Sequence, residues 1–188
     1  GEYVTIGSSI SALDADEVGA IEPRAPPPQH RLRGLEKFAS HGIRTFVSMS
    51  PTYPTQDRAD LRRLLERVSE FEPDVIFHEP INPRGGNFEM TVEAAREAGE
   101  RELAKQLDQL RDRDAWLQYS LEHFRAVQEL GKELNLPIHL WPDRQHIKHT
   151  EGEISEWLQA WKDRQSPEEF AGRNTPDRAL PAPPTELN

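Results

Sequence analysis

The sequence predicts an α/β fold with parallel strands. Short runs of β-branched and aromatic residues alternate with amphipathic segments through the first 80 residues. These runs are nearly continuous in apolar residues, which is typical of parallel strands covered on both faces. Right-handed crossovers between neighbouring strands would give a winding α/β unit or an arc of a barrel. We therefore expect parallel strands with helices on both faces.

The predicted strands are separated by helix signals and proline breakers. The strand runs are residues 3–6, 44–49, 74–77 and 136–141. Ser11 or Asp14 caps a short first helix, Gly42 ends the second, and Asp57 caps the third. Further helices are expected at 88–98, from Trp116 to Leu134, and around Ile154–Trp161, whereas 100–113 is either helical or loose.

Composition excludes several classes of protein. The 188 residues carry 23 Lys and Arg against 33 Asp and Glu, a net charge of −10, and no cysteine. Without cysteine, the chain cannot form disulfides, thiolate zinc sites or its own iron–sulfur cluster. The acidic balance argues against an autonomous nucleic-acid binder. There is no apolar run of membrane-spanning length and no basic-then-apolar leader, so we expect a cytoplasmic protein.

Polar side chains follow the predicted strands at the end where α/β folds bind ligands. The candidates are Ser8 and Ser9 after the first strand, Ser48 and Ser50 after the second, and His78, Glu79 and Asn82 after the third. Hydroxyls at these positions suit ribose or carboxylate oxygens. Serine is also a common turn residue, and only one of the adjacent His78 and Glu79 can point into a barrel.

Three other motifs each have an ordinary structural explanation. Arg31, beside the proline run, suits a carboxylate ligand or a surface ion pair. His146 and His149 beside Glu151 have metal-like spacing, although a surface loop is the simpler interpretation. The stretch 84–87, Arg-Gly-Gly-Asn, suits a phosphate or a flexible loop. We therefore predict no metal site from these residues.

The ordered motifs resemble a known family. Residues 5–10 (TIGSSI), 22–26 (EPRAP), 42–54 (GIRTFVSMSPTYP), 76–82 (IFHEPIN) and 139–143 (HLWPD) resemble radical S-adenosylmethionine (SAM) proteins. The similarity is greatest to the spore photoproduct lyase-like group of DNA repair photolyases, and it covers most of residues 3–143. Each motif alone is moderately specific for this family, and the set of motifs in this order is more specific.

The resemblance implies the C-terminal half of a partial (β/α)6 barrel, containing its fourth to sixth strands. It places SAM near Ser8 and Ser9 on the fourth strand and near Ser48, Ser50 and His78 on the next two, with Glu79 and Asn82 facing the substrate. Arg31 is a further candidate for binding the cofactor. The implied cofactors of the complete enzyme are SAM and a 4Fe–4S cluster, and damaged DNA is a possible substrate.

The sequence departs from this family at the cluster. The family's Cys-x3-Cys-x2-Cys loop is absent, so we expect this chain alone to be catalytically inactive. Three or four parallel strands also cannot close a barrel, which predicts a missing N-terminal half in the same or a separate chain. The expected organisation is half a barrel over 1–143, a helical extension over 144–165 and a disordered proline-rich tail over 166–188.

Two alternatives remain open. One is a non-catalytic interaction module that pairs its sheet edge with an N-terminal partner. The other is a barrel glycosidase that uses Glu79, since Glu79-Pro80 at a strand end resembles a glycosidase acid/base motif. Glycoside hydrolysis requires a second carboxylate about 5–9 Å away, and no predicted strand offers an obvious one.

Overall fold

The computed structural model describes residues 4–165 and 182–187. Its strands are β1 (Thr5–Ser9), β2 (Arg44–Thr52), β3 (Val75–Pro80) and β4 (Ile138–Leu140). Its helices are α1 (Ala15–Ile21), α2 (Pro28–Ser40), α3 (Arg58–Ser69), α4 (Gly86–Ala98), α5 (Arg101–Gln109), α6 (Arg113–Glu133), α7 (Arg144–Lys148) and α8 (Gly152–Asp163). The predicted α/β class with parallel strands is confirmed.

The four strands form one sheet in the order β1-β2-β3-β4, and every pair is parallel. Each strand therefore lies beside its neighbour in sequence, and helices make every connection. The predicted fourth strand joins β3 inside this sheet. The register aligns Ser9 with Ser48, Ser48 with Phe77, and Phe77 with His139.

Burial alternates along the strands. One face, here called the helix-covered face, carries Val47, Met49, Ile76, His78, Ile138 and Leu140, all of which are buried. Leucines of α2 and α3, Phe124 of α6 and the tryptophans of α8 belong to the same core. Helices therefore cover this face of the sheet, and Trp161 of α8 also contacts His139, whose ring lies on the other face.

The described helices cover much less of the opposite face. We call this the half-buried face. Its residues are Gly7, Ser9, Phe46, Ser48, Ser50, Phe77, Glu79, His139 and Trp141; Ser9 is exposed and the rest are half-buried. Helices on both faces were predicted, but within the described ranges they pack mainly on one. Burial along β2 alternates residue by residue from Arg44 to Ser50, and this period of two marks a strand that is covered mainly on one face.

A second core lies beyond the carboxyl ends of β2 and β3. Tyr53 and Ile81, which follow these strands, pack with α4, α5 and the beginning of α6. The 100–113 segment, left open by the sequence, is therefore helical over most of its length. Its apolar side chains Leu103, Ala104 and Leu107 are buried in this core.

Most predicted helix boundaries are confirmed. Asp14 and Asp57 accept hydrogen bonds from the first-turn amides of α1 and α3, and Gly42 after α2 has a φ of 70°. Gly99 ends α4 in the left-handed conformation. The five-residue α7 was not predicted, because so short a segment shows no periodicity.

The region after β4 packs into the main core. Trp157, Leu158 and Trp161 of α8 are buried, and both indole nitrogens donate to Gln128 of α6, at 2.8 and 3.2 Å. The predicted disordered tail falls largely on 166–181 and 188, outside the described residues. Residues 182–187 are described, with Leu187 against the main core. None of the helices in the described ranges has the length and apolarity needed to span a membrane.

Candidate functional site

The half-buried face brings polar and aromatic side chains together at the carboxyl ends of the strands. Ser9, Ser48, Phe77 and His139 form one row across the sheet. Phe77 makes edge-to-face contacts with Phe46, His139 and Trp141, with ring centroids 5.7–5.8 Å apart. The result is a wall with apolar rings beside hydroxyl groups, which is the usual composition of a small-molecule site.

Glu79 is the carboxylate of this face. The hydroxyl of Ser50 donates to Glu79 Oε2 over 3.3 Å, and Oε1 receives no hydrogen bond from the described residues. Burial raises the pKa of Glu79, and the negative charge of Asp143 raises it further. The hydrogen bond from Ser50 and the charge of Lys162 act in the opposite direction. Glu79 is therefore a stronger base than an exposed glutamate.

Asp143 has a contrasting environment. Its carboxylate accepts hydrogen bonds from Asn82 Nδ2 at 2.8 Å, Arg84 Nη2 at 2.7 Å and the amide of Gln145 at 2.5 Å. Burial acts to raise the pKa of Asp143, but the bonds from Gln145 and Arg84 keep it below its usual value. Asp143 thus ties the loop after β3 to the beginning of α7.

The indole of Trp116 packs against the residues that make this contact. The Arg84 guanidinium lies 4.2 Å from the ring centroid of Trp116, and the imidazole of His146 contacts Trp116 at the same centroid distance. His146 Nδ1 accepts from the Asp143 amide at 3.0 Å. Trp116 Nε1 donates to Ile81 O at 3.2 Å, so α6 holds the loop in place.

The predicted site residues separate into two groups. Ser9, Ser48, Ser50 and Glu79 share the half-buried face. Ser8 is aligned with Val47 on the helix-covered face. Asn82 lies beside this group but is engaged with Asp143.

His78 lies on the side of the sheet away from Glu79. It is fully buried beside α6, and its Nε2 is 3.1 Å from Thr52 Oγ1, which is also 3.2 Å from His123 Nδ1. Burial holds the pKa of His78 well below its ordinary value. His78 is therefore part of a buried polar network and is not brought together with the serines.

Arg31 braces the end of β1. Its guanidinium pairs with Glu22 at 2.5 Å and donates to the carbonyls of Ser9 at 3.0 Å and Pro26 at 2.6 Å. The ion pair is internal, so the predicted carboxylate ligand of Arg31 is Glu22 of this chain. These bonds link the proline loop to the sheet edge.

The described part of the chain contains no group of three or more His, Asp or Glu side chains positioned to hold a metal ion. The sequence also has no cysteine. The residues present therefore do not fit an iron–sulfur cluster. His146, singled out for its spacing to His149, is buried against Trp116 and Phe124.

Sequence reasoning missed Arg84 and Asp143 as partners. They are 59 residues apart, and the contact depends on the loops after β3 and β4 meeting at one sheet end. The available sequence signal was that polar residues, Asp143 among them, follow the fourth predicted strand. Asp143 also bears on the glycosidase alternative, because it is a second carboxylate that interacts with Glu79; however, Asn82 and Arg84 already hold it.

The chain is similar in part to a viral protein. The chain is 31% identical over 93 residues to an uncharacterized protein, ORF301, of Acidianus two-tailed virus. The alignment covers 47% of this chain and 31% of the viral protein, so the chain matches less than a third of that relative. Neither a family model nor a solved structure matches.

Proposed function

We propose that the chain forms an arc of a (β/α) barrel enzyme whose active site includes the half-buried face. The observation that carries this proposal is the sheet order β1-β2-β3-β4 with helices packed mainly on one face. In doubly wound folds the strand order reverses and helices cover both faces, whereas barrel strands follow chain order and helices lie only outside. The half-buried face would be the inner wall.

Four strands do not close a barrel. Among the described strands β1 has a neighbour only on the β2 side, so we infer that further strands pair with its other edge. They would come from another part of the protein or from a separate chain. The family resemblance accounts for three strands, and β4 adds one more parallel strand to that arc.

On the family resemblance, we propose that this enzyme is a radical SAM protein. The hydroxyls of Ser9, Ser48 and Ser50 share one face, where they suit the ribose or carboxylate oxygens of SAM. In such enzymes SAM supplies the radical once it is split. This chain would orient SAM and the substrate, and the cluster cysteines would belong to the missing strands. Alone, it would be inactive.

The test is SAM binding by the full chain, followed by amide chemical shifts. We expect weak, saturable binding that shifts the amide signals of Ser9, Ser48 and Ser50. The affinity should fall severalfold in Ser48→Ala and should be unchanged in the control Ser8→Ala. Ser8 is the matched control because it faces the helices. Shifts confined to the helices, or equal effects of both variants, would contradict the SAM assignment.

The cluster part of the proposal has a separate test. Anaerobic reconstitution of this chain with iron and sulfide should give no cubane absorbance and no SAM cleavage. Either signal from this chain alone would overturn the assignment of the cluster to the missing strands.

A second candidate, an interaction module without catalysis, is favoured by the β1 edge alone. Val4, just before β1, is 55% exposed. Size-exclusion chromatography and binding of a hydrophobic dye test the partner surface that both candidates require, because a partner-dependent edge should bind dye or self-associate; SAM binding then separates the two candidates. A monomer without dye binding would count against any missing partner surface.

A further inference from the structure

Three buried polar atoms beside one stretch of α6 have no hydrogen-bond partner among the described residues. They are Ser120 Oγ, His78 Nδ1 and His146 Nε2. Ser120 and His78 are fully buried, and His146 is 2% exposed. An unpaired polar atom costs free energy when it is removed from solvent, so in folded proteins such atoms bond almost always to protein groups or to ordered water.

Ring contacts bring the three residues to the same part of the core. Ser120 lies one turn from Trp116 and one turn from Phe124 on the buried face of α6. The His146 ring contacts both aromatic rings, with centroid distances of 4.2 and 5.3 Å, and therefore lies alongside the turn that carries Ser120. From the sheet, the His78 ring reaches Phe124 with centroids 5.6 Å apart. Helix α6, strand β3 and helix α7 thus each contribute one unpartnered atom near Phe124.

The hydrogen bonds already present define what the missing partner must offer. His146 Nδ1 accepts from the amide of Asp143, so the proton of the neutral ring is on Nε2, which is a donor. His78 Nε2 lies 3.1 Å from the Thr52 hydroxyl, which either donates to it or accepts from it, and His78 Nδ1 then has the opposite role to Nε2. The Ser120 hydroxyl can both donate and accept. The partner must therefore accept from His146 and also be able to donate.

An ion fits these groups poorly. Burial keeps the pKa of His78 and of His146 below the ordinary value, so both rings are neutral at pH 7. A cation would face the protonated Nε2 of His146. An anion would lack a paired charge, because Arg84 already pairs with Asp143 and Lys162 is shared with a second carboxylate. A small neutral molecule that both donates and accepts fits all three atoms.

We propose that Ser120, His78 and His146 form a binding site for one internal water molecule between α6, β3 and α7. The water accepts a hydrogen bond from His146 Nε2, bonds to the Ser120 hydroxyl and completes His78 Nδ1. Buried waters typically make about three hydrogen bonds to otherwise unsatisfied polar groups, which is the number this site supplies.

The water would connect two sets of contacts at the carboxyl end of the sheet. His78 belongs to the network of Thr52, at the end of β2, and His146 holds the amide of Asp143, whose carboxylate binds the loop after β3. With the water in place, these contacts form one hydrogen-bonded unit that positions the loops of the candidate site. This role does not depend on SAM.

The experiment is NMR of the full chain at pH 7, with nuclear Overhauser transfer measured from water to the ¹⁵N-labelled side chains of histidine and tryptophan. Laboratory-frame and rotating-frame transfer are compared, because their signs distinguish a long-lived water from proton exchange. His146 Nε2–H should show transfer from a long-lived water. Trp157 Nε1–H is the internal control, since it is also buried but already donates to Gln128 at 2.8 Å, and it should show none.

A pair of serine variants tests the assignment to these residues. Ser120→Ala should weaken the transfer to His146 at least twofold, because the water keeps only two of its three bonds, and it should shift the ¹⁵N signal of His78 Nδ1. Ser69→Ala is the matched control, since the Ser69 hydroxyl bonds to Glu66 O at 2.7 Å on α3, and it should change neither signal.

Sodium bromide and zinc chloride test the alternative occupants. Neither salt should shift the ring signals of His78 or His146 saturably. A saturable shift with bromide or with Zn²⁺ would overturn the proposal in favour of an ion. The proposal would also be overturned by absence of water transfer at His146, by equal transfer at Trp157, or by equal effects of the two serine variants.

Discussion

His78 and Glu79, adjacent at the end of β3, lie in different surroundings because a strand alternates its side chains between the two faces of the sheet. His78 joins Thr52 and His123 beneath the sheet, and Glu79 joins Ser50 above it. The sequence predicted that only one of them would face a barrel interior but did not identify which. The helix-covered face includes residues 47, 49 and 76, and that register places His78 inside the helix layer.

The buried histidines make stability depend on pH. Burial lowers the pKa of both His123 and His146 to about 4. In the unfolded chain each would titrate near 6.5, so between about pH 6.5 and 4 the unfolded state binds more protons than the folded state. The contribution of these two histidines to the free energy of unfolding is therefore complete above about pH 6.5 and is lost as the pH decreases through that window.

Urea unfolding at pH 7, 6 and 5 measures this effect. We expect the free energy of unfolding to fall with a limiting slope of about 1.4 kcal/mol per pH unit for each such histidine. His123→Gln cannot titrate and should reduce the slope, whatever its effect on stability at pH 7. An identical slope in wild type and His123→Gln would show that His123 does not carry the dependence.

At the scale of elements, sequence patterns determined most helices and strands but not which face of the sheet the helices cover. Periodicity located α3 and α6 through their leucines, and capping residues located their ends. The contacts of Gln128 with α8 and of Arg84 with Asp143 link residues 29 to 59 positions apart, which no local pattern encodes. Likewise, the local signal of Arg31 did not reveal its internal partner Glu22.

The docking of α8 on α6 depends on Gln128. Its side-chain oxygen accepts from the indoles of Trp157 and Trp161, and both indoles are buried. Gln128→Leu should leave two buried donors without this acceptor and destabilise the protein by about 2–4 kcal/mol. Denaturant unfolding measures the change.

Gln118→Leu is the matched control, because Gln118 is exposed on the same helix and bonds only Glu122 among the described residues. Its effect should stay within about 0.5 kcal/mol. Comparable losses in the two variants would mean that the indole bonds do not hold α8 in place.

At the scale of the whole molecule, the central claim is that the sheet is an arc, in which β1 pairs with β2 on one side and has no strand neighbour among the described residues on the other. The amide of Ile10 donates to Ser48 O on β2. Because alternate residues of a parallel strand point to the same neighbour, the amides of Ile6 and Ser8 also point towards β2, and those of Gly7 and Ser9 point away. The two sets should therefore exchange hydrogen at different rates.

Amide hydrogen exchange of the full chain, resolved by NMR, tests this directly. The account predicts strong protection of Ile6, Ser8 and Ile10, with exchange of Gly7 and Ser9 at least tenfold faster. Uniform protection along β1 would mean that another part of this chain already covers the edge, and the arc would then be closed without further strands.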